Sequence, residues 1–244
     1  MAKTIGSRPK AGRWVFAGSV LLAVVATTAL SVMALLLSSS EAAPLFEETG
    51  PFEQASPWLW LALALFIPLV FGKPTLEVAA GMIVAIAAAA REWDWHVAFT
   101  EYSVLKPPFY YRAEHSVFAE EGQRLVRVGL AEQVIAGAIV LVVLASVVVL
   151  VARLIHLRPW KRPLPWWVFA LGFAFGMLVF TKAVDRAPAI LEEDFGVTMS
   201  AGLRQACSAI EEGLEMLLPI FFAAHTLALA RWHKATRRPE RAEA

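Results

Sequence analysis

The chain has 244 residues, of which 58% are hydrophobic and 18% charged, and its mean hydropathy is +0.59. This hydropathy is well above that of an ordinary soluble domain. The formal net charge of +1 gives no reason to expect a nucleic-acid partner. The single cysteine, Cys207, excludes an internal disulfide and a cysteine-rich metal or iron–sulfur site. The chain has no Walker loop, Rossmann fingerprint or nucleophile elbow, so no nucleotide cofactor is expected.

The hydrophobic residues are gathered in six segments. A helix needs about 20 mostly apolar residues to cross roughly 30 Å of hydrocarbon, and lipid offers the backbone no other hydrogen-bond partners. The sequence therefore predicts an all-α polytopic membrane protein, a six-helix transmembrane bundle that forms a single domain, 1–244. In chain order the predicted helices are 14–37, 56–71, 75–100, 126–155, 165–184 and 203–230, followed by a basic cytoplasmic tail at 231–244.

The charges between the segments predict how the bundle is oriented. Basic residues lie before the first segment, between the fourth and fifth segments, and after the sixth. By contrast, the stretch SSSEAAPLFEETGPFEQAS between the first two segments has four acids and no base. Because basic loops mark the cytoplasmic side, we expect both termini inside, N-in and C-in. The style and size of the chain favour the cytoplasmic (inner) membrane of a bacterium.

The third segment ends in an unusual cluster, AAREWDWHVAF, in which Arg91, Glu92, Asp94 and His96 fall within six positions. At 1.5 Å per residue, Glu92 and His96 lie about 26–32 Å along this helix, at its outer interface. Glu92 and His96 are four residues apart and share one helix face, so an oxygen and a nitrogen donor point the same way. That pair suits a divalent metal. The alternative is that these are interfacial charges without a ligand.

The sixth segment carries three glutamates within its apolar part, in the stretch AIEEGLEML. Glu211, Glu212 and Glu215 lie one helical turn apart or less. A charge in mid-membrane costs roughly 2.5–3.5 kcal/mol, so we expect these acids to face the bundle interior. They are either a ligand or proton site or partners in internal ion pairs. The candidate partners at the same outer end are Arg91, Lys182, Asp185, Arg186 and Arg204.

One divalent metal is the candidate cofactor, with Glu92, His96, Glu212 and Glu215 as its candidate ligands. No haem is expected, because His225 in the inner half of the sixth segment lies at a different depth from His96. We interpret His225 as a hydrogen-bonded core histidine.

Small residues and prolines predict local packing. Gly172 and Gly176 form a small-xxx-small pair, typical of a helix-packing face. Pro68 and Pro219 are expected to kink the second and sixth helices. A kink just below the glutamates favours a cavity at their level.

The stretch REWDWHVAFTEYSVLKPPFYY, together with AIEEGLEML, resembles a set of uncharacterised bacterial multi-pass membrane proteins. These proteins have an Arg-Glu-x-Asp-x-His stretch and a later Glu-Glu-x-x-Glu stretch. The matching positions here are Arg91, Glu92, Asp94 and His96, and then Glu211, Glu212 and Glu215. The resemblance covers about thirty residues and implies no particular activity.

Three functional classes agree with these residues. The preferred one is a structural or accessory protein with internal ion pairs, whose partners are membrane lipids and another membrane protein. The second is a metal-dependent or acid–base enzyme acting on a lipid-linked substrate at the outer leaflet. The third is a cation- or proton-coupled transporter, which needs a path from the glutamates to the inside. The candidate catalytic residues of the second class are Glu92, His96, Glu211, Glu212 and Glu215.

Overall fold

The computed structural model describes residues 10–46, 50–93, 111–114, 124–127, 130–157 and 164–242. Within these ranges the chain is helical apart from the connecting turns and one antiparallel pair of strands, β1 (Tyr111–Glu114) and β2 (Arg124–Arg127). The helices are α1 (Lys10–Leu36), α2 (Ser39–Phe46), α3 (Pro51–Phe71), α4 (Leu76–Glu92), α5 (Leu130–Leu157), α6 (Trp166–Glu193) and α7 (Ala201–Ala242).

Five of these helices, α1, α3, α5, α6 and α7, are long and apolar enough to cross a membrane. By length and composition, the chain is therefore a multi-pass membrane protein. Helix α4 has 17 residues and lies against α3. It spans about 26 Å, slightly less than the roughly 30 Å of a hydrocarbon layer.

Several helix boundaries differ from those expected from hydropathy. Helix α3 begins at Pro51, where the missing N–H of proline costs nothing in the first turn, and α2 precedes it within the acidic stretch. Helix α4 ends at Glu92, because Trp93 leaves the helical conformation with φ −84° and ψ 4°. Residues 94–100, the expected continuation of this helix, lie outside the described ranges. Val126, the expected start of the fourth helix, belongs to β2.

Two helices extend beyond their apolar runs. Helix α6 continues past 184 to Glu193, through Pro188, and α7 continues past 230 to Ala242. The predicted basic tail is therefore helical through Ala242. Hydropathy marks where a helix leaves the apolar layer, whereas the helix itself ends where its backbone hydrogen bonds stop.

Helix α7 is central and packs against α1, α3 and α6, while α4 packs on α3 and α5 packs on α4. The long helices alternate in direction. We call the end where α1, α4 and α6 finish and α3, α5 and α7 begin the upper end, and the opposite end the lower end. Small residues let α1 and α7 approach at the upper end, where Leu30 packs with Ala206 and Ala209. Near mid-bundle, Leu218 and Phe221 of α7 pack against α1 and α6.

Gly213 of α7 packs tightly against α1. A Cβ at this position would lie 2.7 Å from Leu30 Cδ2. At Gly172 and Gly176 an added Cβ would meet nothing within 4 Å, and both residues are exposed. The predicted packing role of that pair is therefore wrong within the described chain. Spacing shows which residues share a helix face, but it does not show which face a neighbour covers.

Candidate functional site

Lys182 on α6 binds two of the three glutamates of α7. Its Nζ lies 2.5 Å from Oε1 of Glu215 and 3.4 Å from Oε1 of Glu211. One ammonium reaches both carboxylates because residues four apart are stacked one helical turn from each other. The Glu215 and Glu211 side chains are only 14% and 17% exposed, against 40% for Lys182. An ion pair therefore joins α6 and α7 where they pack together.

Glu92, at the upper end of α4, is bound from α3 and from its own helix. Ser56 Oγ donates a hydrogen bond of 3.1 Å to Glu92 Oε2, and Arg91 Nη1 lies 3.6 Å from Glu92 Oε1. Ser56 is buried, so this contact is shielded from bulk solvent. Glu215 and Lys182 lie close enough to act electrostatically on Glu92. The acids of α4 and α7 thus meet at one level of the bundle, and we call Glu92, Glu211, Glu212 and Glu215 the upper acidic cluster.

Glu212 differs from its neighbours in the upper acidic cluster. Its half-buried carboxylate makes no hydrogen bond or ion pair with any residue in the described part of the chain. Glu53, Glu211 and Glu215 act on its charge with the same sign, and Lys182 opposes them. Glu212 is therefore the least compensated carboxylate among the three on α7.

Two of the three predicted arginine partners, Arg186 and Arg204, contact other acids. Arg204 forms a two-armed contact with Glu192 at the end of α6, with Nη1 3.4 Å from Oε2. Arg186 is strongly exposed and lies 3.7 Å from Asp185 on the same helix. Arg204 shares a helix face with Glu211, but seven residues separate them by about 10 Å along the axis, beyond the reach of an ion pair. Lys182 is the predicted partner that the fold brings to the glutamates.

Two polar side chains of α7 that sequence reasoning did not assign to contacts also have defined roles. Gln205 Nε2 donates to the carbonyl oxygen of Ala34 at 2.6 Å, and Ser208 Oγ donates to that of Phe46 at 3.0 Å. Both carbonyls belong to the last turn of a helix, where no intrahelical partner exists. Polar residues of α7 therefore satisfy the ends of α1 and α2. The sequence signal was present, since a polar side chain in an apolar helix needs a partner.

The proposed metal ligands are only partly within the described chain. His96 and Asp94 lie outside it. Among the described residues, no group of three or more His, Cys, Asp or Glu side chains is arranged to hold a metal ion. Glu92 and Glu215, two of the four candidate ligands, are engaged by Ser56 and Lys182.

His225 lies in the lower half of α7, away from the upper acidic cluster. Its Nδ1 donates a hydrogen bond of 3.0 Å to the carbonyl oxygen of Trp167 in the first turn of α6. The centroids of the imidazole of His225 and the indole of Trp167 are 5.9 Å apart. His225 is thus a hydrogen-bonded core histidine, as the sequence predicts. It joins the same pair of helices at the lower end that Lys182 joins at the upper end.

No protein-family model, curated protein or solved structure matches the chain.

Proposed function

We propose that the protein is a structural or accessory membrane protein whose upper-end charges hold the helix bundle together as internal ion pairs. The observation that carries this proposal is the contact of one ammonium, that of Lys182, with both Glu211 and Glu215. In this proposal six helices, α1 and α3 to α7, cross the cytoplasmic membrane of a bacterium with both termini inside. Membrane lipids and another membrane protein are its partners.

The energetic argument follows from the cost of charge in lipid. An uncompensated charge at mid-membrane costs roughly 2.5–3.5 kcal/mol, so each glutamate favours the one packing arrangement that supplies its partner. Polar contacts between membrane helices contribute about 0.6 kcal/mol on average and up to about 1.7 kcal/mol. Two contacts therefore determine which helices pack side by side: the Lys182–Glu215 ion pair for α6 and α7, and the Ser56–Glu92 hydrogen bond for α3 and α4. Apolar side chains select neighbouring helices only weakly, because lipid tails are equally apolar.

Thermal unfolding of the purified protein in detergent, with a panel of mono- and divalent cations, tests this role. A cation that binds only the folded state stabilises it by about 2.7 kcal/mol at a hundredfold excess over its Kd. If the charges serve only as structural ion pairs, each cation should change the melting temperatures of the wild type and of Glu212→Gln by the same amount. A cation that stabilises the wild type and loses its effect in Glu212→Gln would overturn the structural proposal.

A second candidate function, a cation- or proton-coupled transporter, is favoured by Glu212 alone. A half-buried carboxylate that has no partner in the described ranges and lies beside three further acids is suited to bind a proton or a small cation. A proton or cation flux in proteoliposomes that disappears in Glu212→Gln, but persists in the exposed-site control Glu193→Gln, would support transport. Flux that survives Glu212→Gln, or no flux above empty liposomes, would remove this candidate. The enzyme alternative depends on His96, outside the described residues, and stays a prediction.

A further inference from the structure

A groove of about 430 Å³ lies between α3 and α4 at the lower end, away from the upper acidic cluster. Its walls are almost entirely apolar and extend from the α3–α4 turn to Met82. Met82 lies seven positions after Thr75, the N-cap of α4, so the groove runs about 10 Å along the helix. The wall residues used below are Pro68 and Leu69 of α3 and Val78, Ala79 and Met82 of α4.

The shape of the groove is built into the turn that joins the two helices. Gly72 ends α3 in a left-handed conformation, φ 67°, and its N–H donates to the carbonyl oxygen of Pro68 at 2.8 Å. This conformation favours glycine, which leaves no side chain at the mouth. On the opposite wall, Ala79 contributes only a methyl group. At these two positions the small residues leave room for the opening.

The mouth of the groove is positively charged. Of the described residues that line it, Lys73 alone carries a charge. Glu77, the acid at the start of α4, lies 3.3 Å from Arg153 of α5 through its Oε1 and so has its own cation. Lys73 is exposed in the turn between α3 and α4, which lies at the bilayer surface in the membrane arrangement proposed above.

We propose that this groove binds one phospholipid with an anionic head group. An acyl chain lies along the apolar walls between Leu69 and Val78, and the phosphate faces the ammonium of Lys73. Apolar walls inside the bilayer and a single cation at its surface match the two halves of such a lipid. The proposal does not depend on which side of the membrane the lower end faces.

Native mass spectrometry of the purified full-length protein tests the site. The protein, in a mild detergent, is incubated with equal amounts of phosphatidylglycerol and phosphatidylcholine that carry the same acyl chains, and the first bound lipid is identified. We expect about a fivefold preference for phosphatidylglycerol, the factor that one basic side chain near a bilayer surface contributes. Lys73→Gln should abolish the preference, whereas the exposed-lysine control Lys234→Gln should keep it.

A second variant separates the groove from its charge. Ala79→Phe fills the groove, and we expect it to lower the binding of both lipids at least fivefold while Lys73 is still present. Glycerol phosphate in excess should not displace the bound lipid, since it has no acyl chain. Equal binding of the two lipids by the wild type, an unchanged preference in Lys73→Gln, or displacement by glycerol phosphate would each overturn the proposal. If Ala79→Phe does not fold, the comparison of Lys73→Gln with Lys234→Gln still decides.

Discussion

Replacing Lys182 by Met keeps an unbranched side chain of nearly the same length and removes the ammonium that contacts Glu211 and Glu215. Removing one partner of a buried ion pair destabilises a protein by about 3–5 kcal/mol, because a buried charge is left uncompensated. Exposed pairs contribute only about 0–1 kcal/mol. The Lys182 side chain is 40% exposed while its two partners are largely buried, so we expect a loss between these limits, about 2 kcal/mol.

The assay is thermal unfolding of the purified variants in the same detergent, monitored by tryptophan fluorescence. For a chain of this size, 1 kcal/mol corresponds to about 2–4 °C, so Lys182→Met should lower the melting temperature by about 4–8 °C. Arg186→Met is the matched control, because it removes a cation from the same helix that is 76% exposed. Its melting temperature should change by less than about 4 °C.

A combined variant tests the cause of the loss. When Lys182→Met is joined to Glu211→Gln and Glu215→Gln, neither of the two carboxylates that Lys182 contacted is left charged, and most of the stability should return. The reasoning is refuted if Lys182→Met is no worse than Arg186→Met, or if the combined variant is less stable than Lys182→Met alone.

Three further changes test the packing and the polar contacts. Gly213→Ala places a methyl group against the side chain of Leu30 and should lower the free energy of unfolding by about 1–3 kcal/mol, measured by thermal unfolding. The control Gly137→Ala has open space around it and should lower this free energy by nothing, so equal effects would contradict the tight α1–α7 contact. Ser56→Ala removes the hydrogen bond between α3 and Glu92 of α4 and should lower the free energy of unfolding by about 1–2 kcal/mol. The hydroxyl of Ser146 bonds within its own helix, so Ser146→Ala should be nearly neutral, and a neutral Ser56→Ala would count against the bond to Glu92. Arg153→Gln breaks the ion pair between α5 and Glu77 of α4 at the lower end. Backbone hydrogen exchange in α5 should therefore accelerate, while the free energy of global unfolding falls by less than about 1 kcal/mol. Unchanged exchange would show that packing alone holds α5 in place.

The sequence alone determined that this chain is helical and crosses a membrane, because long apolar runs have few alternatives in lipid. It placed the apolar cores of the helices well and their ends poorly. Helix α6 extends to Glu193 and α7 to Ala242, since a helix continues wherever its backbone bonds continue, with or without lipid around it. It also identified which acids need compensation, because the cost of an unpaired charge in an apolar layer belongs to the residue itself.

Only the tertiary structure decided which side chains meet. Lys182 and Arg186 of α6 both lie at the upper end in sequence terms, yet of these two only Lys182 reaches the α7 glutamates. The choice depends on the rotation of α6 against α7, and helical spacing leaves that rotation undetermined. The rotation of α7 likewise buries Gly213 against α1, and the rotation of α6 turns Gly172 outward. Sequence periodicity defines the faces of each helix, but which face is covered is set by the packing of all the helices together.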